Sequence, residues 1–262
     1  MKDKSKENLL PIIGVIGGVG PYAGLDFVQK IFANTLAKKD QDHLNCMLAS
    51  FPSAISDRTG FLLKDEGENP AFGMFESAKR LSMAGARIAV VACNTAHSQR
   101  IFTPFCTMVK ESLPDFEIVN MLETCANYVK KSHSGSVTRL GLLATIGTHK
   151  TRVYHEYFRE EDGFTLIEPS PEGMEKVHDA IYNEQFGIKS QSKPVTQKAI
   201  ELINHEICAL IGQGAQAVIL GCTELPLAVQ AENYKAPMID PGLLAARRLI
   251  ELTCPEKLVC TT

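Results

Sequence analysis

Gly85-Ala86-Arg87-Ile88-Ala89-Val90-Val91-Ala92-Cys93-Asn94-Thr95 and Gly214-Ala215-Gln216-Ala217-Val218-Ile219-Leu220-Gly221-Cys222-Thr223-Glu224 share one pattern. Each opens on Gly-Ala, crosses an apolar run, and reaches a cysteine eight positions after the glycine. An apolar run of that length, with no polar alternation, reads as a strand covered on both faces, as in parallel sheets. Two such strands, each ending on a thiol, suggest two thiols facing one another.

The surrounding segments repeat as well. Residues 12–16 form a β-branched run, and Gly17-Gly18-Val19-Gly20-Pro21 follows as a tight loop opening a helix to about residue 36. Pro21 fits the first turn, where its missing N–H costs nothing. Strands are expected at 44–51, 87–92 and 117–119, and helices at 72–84, 96–112 and 123–132, with 52–63 irregular. Ile101, Phe105, Met108 and Val109 share one face of the 96–112 helix, which Pro104 should kink or shorten. Ser132-His133-Ser134-Gly135-Ser136 is the best linker. Beyond it, strands at 140–144, 164–167, 217–221 and 237–239 alternate with helices beginning at Thr148 and spanning 171–182, 194–211 and 242–252. Ala199, Leu202, Ile203, Ile207, Leu210 and Ile211 give the 194–211 helix one apolar face.

Strands alternating with helices predict an α/β protein with mostly parallel sheets covered by helices. Gly14-Val15-Ile16 answers Gly141-Leu142-Leu143, and the steps from each glycine to its cysteine, 79 and 81 residues, nearly agree. Such self-similarity predicts two pseudo-symmetric lobes with a cleft between them. The boundaries are 1–120 for the N-terminal lobe, with 241–262 packing back on it, and 121–240 for the C-terminal lobe. Ligands of open parallel sheets bind beyond the carboxyl ends of the strands, where both cysteines lie.

Composition narrows the function. A formal net charge of −3 offers no basic face for nucleic acid. No apolar run reaches membrane-span length, and the charged N-terminus lacks a secretory pattern, so a cytoplasmic protein is expected. Of eight cysteines, none is spaced Cys-x-x-Cys, which argues against zinc ribbons and thioredoxin-type motifs, and the lack of a secretory pattern argues against a disulfide framework. Cys46 and Cys208 read as core, while Cys254 and Cys260 carry no signal.

Two thiols on opposite faces of one carbon can invert it: one removes the proton while the other delivers one. The pair must exchange roles in the reverse direction, a demand that equivalent residues from two similar lobes meet. A thiolate at a helix start is favoured by free N–H groups and the helix dipole. Asn94, Thr95, Thr223 and Glu224 stand beside the thiols and can hydrogen-bond a substrate. Backbone N–H groups at helix starts would stabilise charge growing on the substrate carboxylate.

Ala92-Cys93-Asn94-Thr95-Ala96-His97 and Gly221-Cys222-Thr223-Glu224-Leu225-Pro226 resemble the two signature motifs of the aspartate/glutamate racemase superfamily. With Gly17-Gly18-Val19-Gly20-Pro21 and Asp57-Arg58-Thr59, the chain resembles its aspartate racemase branch over roughly 12–252. Cys-Thr-Glu, rather than Cys-Thr-His, follows that branch; Val19, where relatives often carry Met, departs from it. The resemblance implies racemisation of a small acidic amino acid by Cys93 and Cys222, without metal or other cofactor, in a homodimer. It also implies that the loop of Val19 lines the site and that Arg58 and Lys189 hold substrate carboxylates, the planar fork of arginine suiting bidentate pairing. His97 and His149 read as packing or hydrogen-bonding residues rather than catalysts.

Two other readings compete. Gly18-Val19-Gly20-Pro21-Tyr22-Ala23 matches a dinucleotide fingerprint, but the second strand ends at Ser50-Phe51 with no acidic residue for the ribose. A two-lobed binding protein would need the cleft but no thiols.

Overall fold

The computed structural model describes residues 10–132 and 137–260. Residues 133–136 of the expected linker lie outside them. Two four-stranded parallel sheets form the frame. The first holds β1 (Ile12–Ile16), β2 (Asn45–Ala49), β3 (Ile88–Val91) and β4 (Glu117–Val119), in the order β2-β1-β3-β4. The second holds β5 (Arg139–Ala144), β6 (Thr165–Ile167), β7 (Ala217–Gly221) and β8 (Met238–Ile239), in the order β6-β5-β7-β8. The strand orders correspond one to one.

Register makes the duplication concrete. Gly14 pairs opposite Ala89 and Gly141 opposite Val218, the residues four beyond Gly85 and Gly214. Side chains alternate to two buried faces, as the period of a strand requires. Ile88, Val90 and Ala92 face a central core, while Ala89, Val91 and Cys93 face the outer core of the first sheet. In the second sheet Ala217 and Ile219 face the same central core, and Val218, Leu220 and Cys222 face their own outer one.

The central core is shared by both sheets. It is filled by α1 (Pro21–Ala33), α5 (Met121–Ser132) and α9 (Pro241–Thr253), with α9 packed against both α1 and α5. Lys30 of α1 reaches Asp240, which caps α9, at 2.6 Å and also pairs with Asp26. Outside the first sheet lie α2 (Arg58–Lys64), α3 (Pro70–Met83) and α4 (Gln99–Ser112). Outside the second lie α7 (Pro171–Tyr182) and α8 (Gln197–Gly212). The short α6 (Ile146–Thr151) packs against α2 and α7.

Four expectations need correction. The 52–63 stretch contains helix α2, because Asp57 caps it by accepting from the Gly60 N–H at 2.7 Å. Pro104 does not end α4; the carbonyl it strands, that of Arg100, accepts instead from Asn69 Nδ2 at 2.9 Å. No single helix follows Cys93: a 3-10 turn, Thr95–His97, precedes α4 and is separated from it by extended Ser98. Cys208 is exposed, since it sits one residue, and so about 100° around α8, past buried Ile207. Cys46 is half-buried against the central core.

Candidate active site

Four loops leave the carboxyl ends of β1, β3, β5 and β7, and contacts join them across the cleft. The Thr223 hydroxyl, just after Cys222, donates to the carbonyl of Ala92, just before Cys93, at 3.2 Å. Thr95 Oγ1 lies 2.8 Å from Thr148 Oγ1 and 3.3 Å from Thr145 Oγ1, so three hydroxyls of two lobes form one cluster. The loop after β1 meets the loop after β7: a Cβ on Gly20 would stand 2.1 Å from Glu224 Oε1. Gly20 also has φ 152°, and Gly18, at φ 73°, passes so close to Phe51 that a Cβ would lie 2.7 Å from its backbone nitrogen. Glycine is therefore required here by close approach and by backbone shape.

Cys93 and Cys222 are both buried, 6% and 7% exposed. Their surroundings differ. The Cys222 thiol donates to Glu224 Oε2 at 3.0 Å, and Glu224 Oε1 accepts from Lys189 Nζ at 2.7 Å. Burial, and then the Glu224 charge, push the Cys222 thiol well above its ordinary range. Burial opposes ionisation of Glu224, but the Lys189 ammonium, the Cys222 hydrogen bond and Arg58 together outweigh it and hold the carboxyl below its usual range. The expectation of a thiolate favoured by a helix start fails at Cys222. Only one 3-10 turn, Leu225–Leu227, follows it, and the nearest charge is negative.

Arg58, the first residue of α2, is 6% exposed and donates through Nη2 to the Val19 carbonyl at 2.6 Å. Burial alone would lower its pKa; Cys93, Tyr182, Asp57 and Glu224 together raise it instead, so the guanidinium keeps its charge. Its Nε is buried without a partner. The loop of Val19 lines the cavity through Gly18 and Gly20, whereas Val19, expected among the substrate-binding residues, puts its side chain in the outer core and holds Arg58 with its carbonyl.

Burial would lower the pKa of Lys189, but Glu224, with Tyr182 and Cys222, raises it instead, so the ammonium keeps its charge. A cavity of about 290 Å³ opens beside these groups, lined by Gly18, Gly20, Tyr22, Arg58, Lys189 and Glu224. Among the described residues no three His, Cys, Asp or Glu side chains gather to hold a metal ion.

The remaining expected residues are engaged in holding the cleft together. Asn94 is 1% exposed; its Oδ1 accepts from the Tyr154 hydroxyl at 2.5 Å, while its Nδ2 has no partner. His97 Nδ1 lies 2.8 Å from the Cys93 carbonyl, and its Nε2 accepts from the Met121 N–H at 3.3 Å. A carbonyl on one side and an N–H on the other fix the neutral tautomer with the proton on Nδ1, and burial pushes the pKa down to about 4. Both nitrogens are used, so His97 anchors the backbone at Cys93. His149 pairs through Nδ1 with Glu168 at 2.8 Å.

Sequence reasoning missed Thr145 and Thr148, although matching Gly141 to Gly14 put their loop in the position of the glycine loop. It also missed Tyr182, whose hydroxyl donates to Asp57 at 3.2 Å and lies 3.4 Å from Thr59, and Tyr154. Neither tyrosine sits in a motif; only the fold brings them to the site.

Known proteins share this fold. Residues 16–249 match the Asp/Glu/hydantoin racemase family. The aspartate racemase of Picrophilus torridus superposes with a TM-score of 0.76 at 27% identity, over 95% of this chain and 96% of that one. An aspartate racemase homologue from Pyrococcus horikoshii OT3 gives 0.66 at 25% identity, over 93% and 99%. In sequence, a glutamate racemase of Ectopseudomonas mendocina is 27% identical over 70% of this chain and 64% of its own length. Other glutamate racemases are also matched over about half to two thirds of their length, such as that of Roseiflexus over 47%. With its paired sheets, two strand-end cysteines and a family match running through both lobes, the chain belongs to the Asp/Glu/hydantoin racemase family, a family of isomerases.

Proposed function

We propose that the protein interconverts L- and D-aspartate by proton transfer at the α-carbon between Cys93 and Cys222. The observation that carries this is the hydrogen bond from Thr223 to Ala92, which draws the two thiol-bearing strand ends to one cleft. Two cations, buried Arg58 and half-buried Lys189, line the neighbouring cavity and suit a substrate with two carboxylates. The unpartnered Nε of Arg58 offers a donor for one of them. Lys189 would exchange Glu224 for the other.

In this mechanism one cysteine, as thiolate, takes the α-proton while the other, as thiol, gives its proton to the opposite face. The enzyme leaves the cycle with the roles reversed, ready for the other enantiomer. Cys222, hydrogen-bonded to Glu224, is the thiol in the arrangement described here. Arg58 lies close enough to Cys93 for their charges to interact, and the proposal gives Cys93 the complementary role of base.

The glutamate racemases among the sequence relatives make glutamate, or both acids, the second reading. A cytoplasmic setting and pairing of two copies belong to the same proposal; eight unpaired cysteines suit a reducing compartment. Sedimentation tests the pairing, and a species of one chain's mass would remove it. The function itself is tested by incubating the purified protein with each L-amino acid in deuterated water, without added cofactor. Chiral analysis should show D-aspartate carrying deuterium at the α-carbon. Faster conversion of glutamate would select the second reading, and no deuterium in either acid would remove both.

A further inference from the structure

The contact between Tyr154 and Asn94 has no place in the mechanism above. Tyr154 lies just beyond α6, on the second-sheet side of the cleft, and is fully buried. Its ring stacks on Phe158, with centroids 6.4 Å apart. Its hydroxyl donates to Asn94 Oδ1 at 2.5 Å, sixty positions away in the chain and next to Cys93. A neutral phenol offers one hydrogen, and Oδ1 is its acceptor; with the amide turned by half a turn the phenol oxygen would accept from Nδ2, and the phenol hydrogen would lose this acceptor. The observed orientation leaves Asn94 Nδ2, with both its hydrogens, buried and unpartnered in the residue that follows Cys93. A buried donor left open at a reacting centre fits an acceptor that arrives with the ligand.

We infer that Tyr154 is a positioning residue, which locks the Asn94 amide with its NH₂ toward a substrate carboxylate oxygen. This rests on the racemase reading above. The carboxylate gains negative charge when the α-proton leaves, so a donor fixed in advance helps the transition state more than the bound substrate. Tyr154 would thus convert the mutual placement of the two sheets into the orientation of one amide. Burial holds its phenol protonated, and therefore a donor.

A double-mutant cycle on the full chain tests this. Tyr154→Phe keeps the ring and should lower kcat/KM about tenfold for both enantiomers, mostly in kcat, with the melting temperature little changed. In an Asn94→Ala background the same change should cost less than twofold. An equal loss in both backgrounds would assign Tyr154 to packing and overturn the proposal, as would no loss in either. Should Tyr154→Phe fail to fold, Asn94→Asp keeps the acceptor for the phenol and removes the NH₂. It should lose at least as much turnover as Asn94→Ala, and a variant within twofold of the parent would sink the idea. A parent that racemises neither aspartate nor glutamate removes the functional reading and this inference together; an active parent with an additive cycle removes only the inference.

Discussion

The ends of β3 and β7 are the same strand end built twice, and they present their thiols to different neighbours. After Cys93 come Asn94 and Thr95, which carry no charge, and the Arg58 guanidinium interacts with Cys93 electrostatically. After Cys222 comes Glu224, whose carboxylate accepts the thiol hydrogen and is itself held by Lys189. Each strand end then closes with one 3-10 turn, so local backbone geometry does not distinguish them. The difference is electrostatic. It shows how a duplicated scaffold can hold one sulfur as an acid beside a carboxylate and place the other beside a cation.

The strongest challenge to this comparison is to remove each sulfur in turn. Cys93→Ser and Cys222→Ser should each lower racemisation by about 10³-fold while leaving the fold intact, because either loss interrupts proton transfer on one face. Turnover within tenfold of the parent in either variant, measured by polarimetry, would end the two-thiol account.

His97 anchors only the Cys93 side, so it offers a stability test of the asymmetry. Its folded pKa, about 4, lies below the 6.5 of an unhindered histidine. The unfolded chain therefore takes up the proton first. The associated stability is complete above about pH 6.5 and is lost as pH falls toward 4, by at most about 3 kcal/mol. Urea unfolding across that window should show a shallower decline for His97→Gln than for the parent. Parallel curves would mean that the imidazole does not titrate on unfolding.

Arg58→Lys keeps the charge beside Cys93 and removes the planar fork with its free Nε. It should reduce kcat/KM about fiftyfold, mostly through KM. An unchanged KM would show that charge alone is what the cleft uses.

The smallest expected effect probes the Cys222 side. Glu224→Gln removes the carboxylate that adds to burial in holding up the thiol, and it frees Lys189. Thiolate absorbance from Cys222 should then appear at lower pH than in the parent, with kcat/KM down about tenfold. A titration that does not move would leave burial as the sole cause of the high pKa and erase the proposed contrast between the two lobes.

Much of this was legible from residues alone because the two strands are long apolar runs punctuated by glycine, a pattern strong enough to survive without context. The repeat of Gly14 and Gly141 was legible too, and the strand registers agree with it. Helix α2 was not, since its cap is a single aspartate and its few residues carry little periodicity. The continuous passage of α4 through Pro104 was hidden as well, because the acceptor it strands is satisfied by Asn69, far away in sequence.

The amino-acid order by itself determined the α/β alternation, the duplication, the pair of strand-end cysteines and the polar residues beside them. These follow from local periodicity and from short spacings that a chain records directly. Tertiary structure alone decided that Glu224 meets Lys189 and Cys222, that Arg58 lies near Cys93, and that Tyr154 reaches Asn94. Such pairings depend on how two sheets and their loops are set against each other, and electrostatics inside a buried cleft depends on distances that no linear pattern encodes.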